Sequence, residues 1–499
     1  MIVVIIISLL SPSTFSQDPK QAEVSAAVQQ DAISSQYVTT FPLAKTCTSL
    51  GPWVLSPSTN NRTVWLEAYS LGQQNLAQII NFTLSPQTGQ PQCHVVASLT
   101  NAIPTSVVFD RYSNRVWFTF NNTLAFIDPA GSNRTAWTYP GGDPQYIAID
   151  SHDNLWITLV ATNQIVEYVP TSNKTITTST LPASVILQGI ASAPDGTVWF
   201  AETGARKLGH IIPCSSPSCP PEEFSPPPGI VISAPTQVVV DLNGIVWFTD
   251  HGSNLFGSFS PVTQTWRVYP VGYCSGYCAD VLPNAISLFK GRIWFSEHIA
   301  GRISSYDPGT EVLTEYVIPS NGDTPLSWWA WPGLNNLVWF TSYALGQIGY
   351  VNASMPVNMN VNATTPAISV RQGASETIQV KINSQEASPI SLGISPSTTD
   401  RPFFSASSGP SQVMPSQGLS TSTVTISASW NSTLGNRYLA LTAFNGKVAV
   451  STYVAVIVVD APLPYVTLGI ALIISLGSLT IYFRRPGQKK LRSGRQTRK

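Results

Sequence analysis

Three acids stand three residues past a tryptophan, at Glu202, Asp250 and Glu297, and two of them are followed directly by histidine, His251 and His298. Carboxylates brought to one rim could hold a divalent cation, with Glu202, Asp250 and Glu297 as its ligands. A histidine beside that cation could act as a base, which makes Glu297 and His298 the candidate catalytic pair. The same acids could instead accept backbone amides and do no chemistry. A second candidate is Trp328-Trp329-Ala330-Trp331. Alternation along a strand places Trp329 and Trp331 on one face and Trp328 on the other. Such rings could stack on a sugar or an aromatic ligand, or else fill a core. With Asp250, His251 and Tyr343 they make the candidate ligand-binding set.

What must position these residues is a repeat. An apolar–Trp–apolar step recurs at Trp65, Trp117, Trp156, Trp199, Trp247, Trp294 and Trp339, with spacings of 52, 39, 43, 48, 47 and 45 residues. A period in the forties, built of short strands, is the signature of a β-propeller with one four-stranded blade per repeat. Inner strands such as Gln145–Asp150 and Thr236–Asp241 run into tight turns, among them Asp195-Gly196 and Asn243-Gly244. The tryptophan strand follows, then a third strand and an outer strand. The last repeat lacks an outer strand, whereas Gln36–Pro42 has that pattern with no blade before it. It is expected to complete the seventh blade and close the ring. Inner strands begin, and tryptophan strands end, on the same mouth of the ring, so the candidate residues share it.

After residue 354 the tryptophan repeat stops. Residues 360–460 alternate in short Ser/Thr-rich strands, which predicts an Ig-like β-sandwich serving as a stalk. The expected fold is therefore all-β: a seven-bladed propeller over 36–354, the sandwich over 360–460, then one transmembrane helix. That helix is Tyr465 to Phe483, 19 uncharged residues, followed by a tail (484–499) with eight cations and no acid. The positive-inside rule puts this tail in the cytoplasm and the rest of the chain outside the cell membrane. The apolar start, 1–16, reads as a signal peptide.

An exterior location agrees with eight Asn-x-Ser/Thr sequons, at Asn61, Asn81, Asn121, Asn133, Asn173, Asn352, Asn362 and Asn431. It also predicts that the six cysteines are oxidised. Local pairs Cys214–Cys219 and Cys274–Cys278 are favoured, which leaves Cys47 with Cys93. Lysine plus arginine equals aspartate plus glutamate at 26 each, and charged residues are only 10% of the chain. With eight of those cations in the tail, the remainder is mildly acidic, which excludes a nucleic-acid partner. The chain has no phosphate loop, nucleophile elbow, zinc-protease helix or EF-hand loop, so nucleotide binding and the common hydrolase chemistries are unsupported.

The blades resemble a known family. Asp195-Gly196-Thr197-Val198-Trp199-Phe200-Ala201-Glu202, running on through Lys207-Leu208-Gly209-His210-Ile211, is similar to blades of the streptogramin B (virginiamycin B) lyases. The resemblance spans about residues 36–352. It implies a seven-bladed propeller, and in that family a magnesium-assisted elimination that linearises a cyclic depsipeptide. It also implies a Pro-His step opening the inner strands of the last two blades, the last histidine being the base. Here those steps read Pro283-Asn284-Ala285-Ile286 and Pro325-Leu326-Ser327-Trp328, and both histidines are absent. The family's metal-binding glutamate corresponds to Ser342, beside Tyr343.

The leading expectation is thus a membrane-anchored extracellular propeller that binds a glycan, a peptide or a neighbouring surface protein without the family's catalytic histidine. The competing one is a magnesium-dependent lyase, performing C–O elimination on a cyclic depsipeptide or related substrate, with a relocated site at Glu202, Asp250, Glu297, His251 and His298. A third is a structural role in the cell envelope.

Overall fold

The computed structural model describes residues 34–460 except 60–62, 71–75, 130–133, 139–140, 215–218, 272–280, 386–387, 397–403 and 415–418. The expected signal peptide, spanning segment, tail and Cys274–Cys278 pair, and the sequons Asn61 and Asn133, lie outside the described residues. Among the described residues no helix is long and apolar enough to cross a membrane.

The chain is a β-propeller. Six four-stranded antiparallel sheets and a seventh set of four strands follow one another, each built around one repeat tryptophan. Blades one to seven carry Trp65, Trp117, Trp156, Trp199, Trp247, Trp294 and Trp339 respectively. Val38–Pro42 pairs with Gln347–Asn352, in register from Val38↔Val351 to Pro42↔Gln347, so the N-terminal strand supplies the outer edge of blade seven. Tyr37 and Val38 are buried there.

The sequence explains each blade locally. An aspartate ends the inner strand in blades two, three and five, and one oxygen caps the hairpin: Asp150 Oδ1 accepts the amides of His152 and Asn154 at 2.8 and 2.9 Å. The other oxygen takes the indole N–H of the buried tryptophan, at 3.3 Å for Trp117–Asp110 and 3.0 Å for both Trp156–Asp150 and Trp247–Asp241. A buried indole needs such an acceptor. Blades are tied to their neighbours by hydroxyls near the end of the tryptophan strand. Thr249 Oγ1 donates to Asn284 O at 2.6 Å, Ser296 Oγ to Trp328 O at 3.2 Å, and Thr341 Oγ1 to Trp53 O at 3.2 Å.

Residues 359–459 form two further sheets facing each other across a shared core that includes Val361, Val380, Ile390, Val424, Leu441 and Val456. One of these sheets is not separate from the propeller. Val448–Val459 pairs antiparallel with Val312–Val317, the outer strand of blade six, from Val312↔Thr452 to Tyr316↔Val448. The result is one nine-stranded sheet running from blade six into the sandwich. Instead of hanging from a single connection, the sandwich is joined side-on, and its seam is sealed by rings. Tyr453 lies 4.9 Å from Tyr269 and 6.2 Å from Tyr306 between centroids, and Tyr438 lies 5.0 Å from Tyr269. The Tyr453 hydroxyl, buried, donates to Pro270 O in blade five at 3.0 Å. Tyr453→Phe keeps the packing but strands that carbonyl, and should cost about 1–2 kcal/mol. A urea unfolding midpoint equal to wild type would show that this bond does not hold the seam.

Two disulfides are formed as expected, Cys47–Cys93 and Cys214–Cys219.

Candidate functional site

The mouth is shaped by one irregularity repeated round the ring. Inner strands shift register near their start, at Pro52/Val54, Pro104/Ser106, Pro144/Tyr146, Pro235/Gln237 and Pro283/Ile286, and without a proline at Leu187/Ile190. Proline cannot donate to the ladder and a bulge re-aims the residue beside it. The residues so placed are Trp53, Thr105, Gln145, Thr236 and Asn284. In blade seven the register Ala330↔Phe340 matches Ile286↔Phe295 in blade six. Counting back two residues, the counterpart of Asn284 is Trp328, not the Leu326 that the sequence steps suggested.

Trp328 sits in an arc of rings contributed by four blades. Its centroid is 3.7 Å from that of His298 and 4.5 Å from that of Trp53. His298 is 6.0 Å from His251, and Trp53 is 5.4 Å edge-on from Tyr343. The backbone behind the arc is fixed. His298 N–H donates to Leu282 O and its carbonyl accepts from Ser327 N–H, both at 3.1 Å. Trp328 O accepts from Asn284 Nδ2 at 3.1 Å as well as from Ser296. Leu282 and Leu326 hold φ of 54° and 50°, a left-handed conformation that bulky residues adopt only where the surroundings impose it.

Both histidines are neutral. Burial brings His251 down to about 4 and, with His251 beside it, brings His298 down to about 3. His251 Nε2 and His298 Nδ1 are buried and have no hydrogen-bond partner among the described residues. The arc therefore presents indole, phenol and uncharged imidazole.

Trp329 and Trp331 share a face as alternation requires, stacked at 6.5 Å and 10°. That face does not join the arc. Trp329 is buried and stacks on Tyr146 of blade three at 6.5 Å and 10°, a contact that crosses the ring. It helps fill the channel, and the ring presented at the mouth is Trp328.

The acids do not meet. Among the described residues no three His, Cys, Asp or Glu side chains are grouped so as to hold a metal ion. Each carboxylate of the expected set Glu202, Asp250 and Glu297 is turned into its own blade. Asp250 accepts four backbone N–H groups, from Ser233 at 2.6 Å, Ala234 at 2.8 Å, Gly252 at 3.1 Å and Ser253 at 3.2 Å. This also removes it from the ligand-binding set. Glu297, fully buried, accepts from Ser304 Oγ at 2.5 Å and lies 3.7 Å from Arg302, which pairs with the equally buried Glu315 at 2.9 Å. Its carboxyl is raised well above the usual range, by burial first and then by Glu315. Glu202 lies over Gly209, and burial raises it to about 7.

Sequence reasoning missed Trp53, the third ring of the arc. It stands twelve residues before Trp65, as Trp328 stands eleven before Trp339 and Asn284 ten before Trp294. That offset is the signal that would have found it. Glu67 was missed too: fully buried, with neither oxygen partnered among the described residues, it occupies the position two past the tryptophan where other blades carry Thr119, Thr158, Thr249, Ser296 and Thr341. Burial raises its carboxyl well above the usual range.

No protein-family profile matches the chain, and no curated protein matches it. Among solved structures, a streptogramin B lyase shares 20% identity at a TM-score of 0.52, covering 63% of this chain and 97% of its own. Virginiamycin B lyase from Staphylococcus aureus shares 19% at 0.52, covering 63% and 98%. A catalytically inactive form of that enzyme, solved with quinupristin, shares 19% at 0.51 over the same spans. At these identities the likeness establishes the β-propeller fold.

Proposed function

We propose that the chain is a membrane-anchored extracellular propeller that binds an uncharged ligand at its mouth and does not cleave it. The observation that carries this reading is the ring arc, with Trp328 in blade seven at the register position that Asn284 holds in blade six. Indole faces stack on the apolar face of a sugar or on an aromatic side chain. Two neutral imidazoles flank the rings without adding charge. A neutral glycan, on a neighbouring cell or surface protein, suits that combination. The anchor is the uncharged segment 465–483 with its basic flank.

The test pairs a panel of neutral oligosaccharides, read by titration calorimetry, with quinupristin incubated in magnesium. A panel member is expected to bind, and Trp328→Ala or Trp53→Ala to weaken it about tenfold through lost stacking. Binding should be flat between about pH 5 and 8, because neither histidine takes a proton there. Quinupristin is expected to stay cyclic; magnesium-dependent ring opening that His298→Ala abolishes would defeat the binding reading.

A further inference from the structure

The far end of the sandwich carries an exposed apolar group that neither the fold nor the mouth uses. Trp430 is 65% exposed and Leu434 53% exposed. Both belong to the connection that leads into Gly435–Phe444, whose first residue pairs with Val458. They therefore flank the place where Val448–Val459, the last described strand, leaves the domain. Arg371, exposed, is the register partner of Val459 from the other side. The three residues come from two separate segments and surround one point, the exit of the chain.

The tip is held firmly. Gln372 N–H donates to Val459 O at 3.1 Å, and its side chain to Ser432 O at 2.6 Å. Gly373, with φ of 73°, lies so close under the indole that a Cβ would sit 2.2 Å from Trp430 Cε2. Trp430 is thus laid over a glycine turn and presented outward. The other exposed apolar residues of the sandwich, Met414 and Leu419, lie at the opposite end of Leu419–Ala428.

What covers this tip follows from the chain beyond it. Between Asp460 and Tyr465 stand only four residues, which span at most about 14 Å when fully extended. If 465–483 enters a bilayer, the exit point lies within that reach of the lipid headgroups. Tryptophan is enriched at that depth, with an apolar ring inward and a polar edge in water, and arginine pairs with lipid phosphate there.

We propose that the sandwich tip seats on the bilayer interface through Trp430, Leu434 and Arg371, fixing how the propeller stands on the membrane. The proposal rests on the anchor reading above. It also separates one sequon from the rest: Asn431 adjoins the seated indole and should carry no glycan.

The experiment uses the full chain in phosphatidylcholine–phosphatidylglycerol nanodiscs, with and without brominated acyl chains. Residues 461–499 contain no tryptophan, so any quenching of tryptophan emission by bromine reports on the ectodomain. Wild type is expected to be quenched, Trp430→Phe to lose most of that quenching, and Trp331→Phe at the propeller to keep it. Leu434→Glu, which leaves every tryptophan in place, should reduce quenching and guards against a Trp430 variant that folds poorly. A chain that fails to enter the discs overturns the anchor and the seating together. A chain that enters, yet is quenched equally with and without Trp430, overturns the seating alone. So does a glycan found at Asn431 on the native protein.

Discussion

Arg302→Met should cost about 3–5 kcal/mol, as expected when one member of a buried ionic group is removed and the others remain. Glu297 and Glu315 are both fully buried, and Arg302 Nη1 lies 3.7 Å from one and 2.9 Å from the other. Without the guanidinium, Glu297 keeps Ser304 and is left against a second buried carboxylate, Glu315. The deficit should depend on pH. Burial already holds the folded-state pKa of Glu297 above its unfolded value, and Arg302 pulls it back. Removing Arg302 lets it climb further. A carboxyl raised in this way favours folding fully below its unfolded pKa, and that contribution is lost as pH rises through the folded value. The gap between variant and wild type should therefore be smallest at acid pH and widen toward alkaline pH, once pH passes the wild-type folded value. Differential scanning calorimetry across that range reads it directly, and adding Glu297→Gln should recover part of the loss. A gap independent of pH would mean that Glu297 is not the group left unpaired.

The ring of blades was legible because a tryptophan every forty to fifty residues needs a repeated place to be buried. The closing strand at Val38–Pro42 was legible for a related reason: an outer-strand pattern with no blade of its own has to go somewhere. The site was less legible. Glu202, Asp250 and Glu297 look equivalent in sequence, each three past a tryptophan, yet meet three different surroundings. Aspartate, one methylene shorter, stays by its own turn and collects four amides. Glutamate in blade six extends to Ser304 and Arg302 on the third strand. In blade four the corresponding neighbour of Glu202 is Gly209, which has no side chain to donate, and the Phe200 ring fills the space over it. Side-chain length and the residues opposite decide the outcome, and neither is visible in the spacing from the tryptophan.

Trp328 and Trp53 show a second limit. Alternation correctly separates Trp328 from Trp329 and Trp331, but it cannot say which face meets the mouth. In blade one the bulge between Pro52 and Val54 decides that for Trp53, and Trp328 takes the matching register position ahead of Ala330 in blade seven. Pairing of the sandwich with blade six was hidden for another reason. Val312–Val317 carries nothing that distinguishes it from other outer strands, and its partner stands more than a hundred residues later. Only the unpaired edge itself, an open row of amides and carbonyls, invites the addition.

Asp250→Ala should destabilise the propeller by on the order of 3–5 kcal/mol, because four backbone amides lose one shared acceptor at once. Two of them, Ser233 and Ala234, enter the inner strand of blade five; the other two, Gly252 and Ser253, form the turn that leaves its tryptophan strand. The carboxylate is thus the clamp between the two chain segments that meet at the mouth. Asp250→Asn keeps one acceptor oxygen but turns an amide group toward N–H donors, so it should recover little of the loss. The same measurement separates this role from metal binding. A carboxylate that served a cation would give a melting temperature that rises with added magnesium and falls with EDTA. A clamp of backbone amides predicts that neither addition moves the wild-type transition, while Asp250→Ala lowers it by the same amount in both. If magnesium stabilises wild type and not the variant, Asp250 is a ligand after all, and the uncharged mouth proposed here would have to admit a cation.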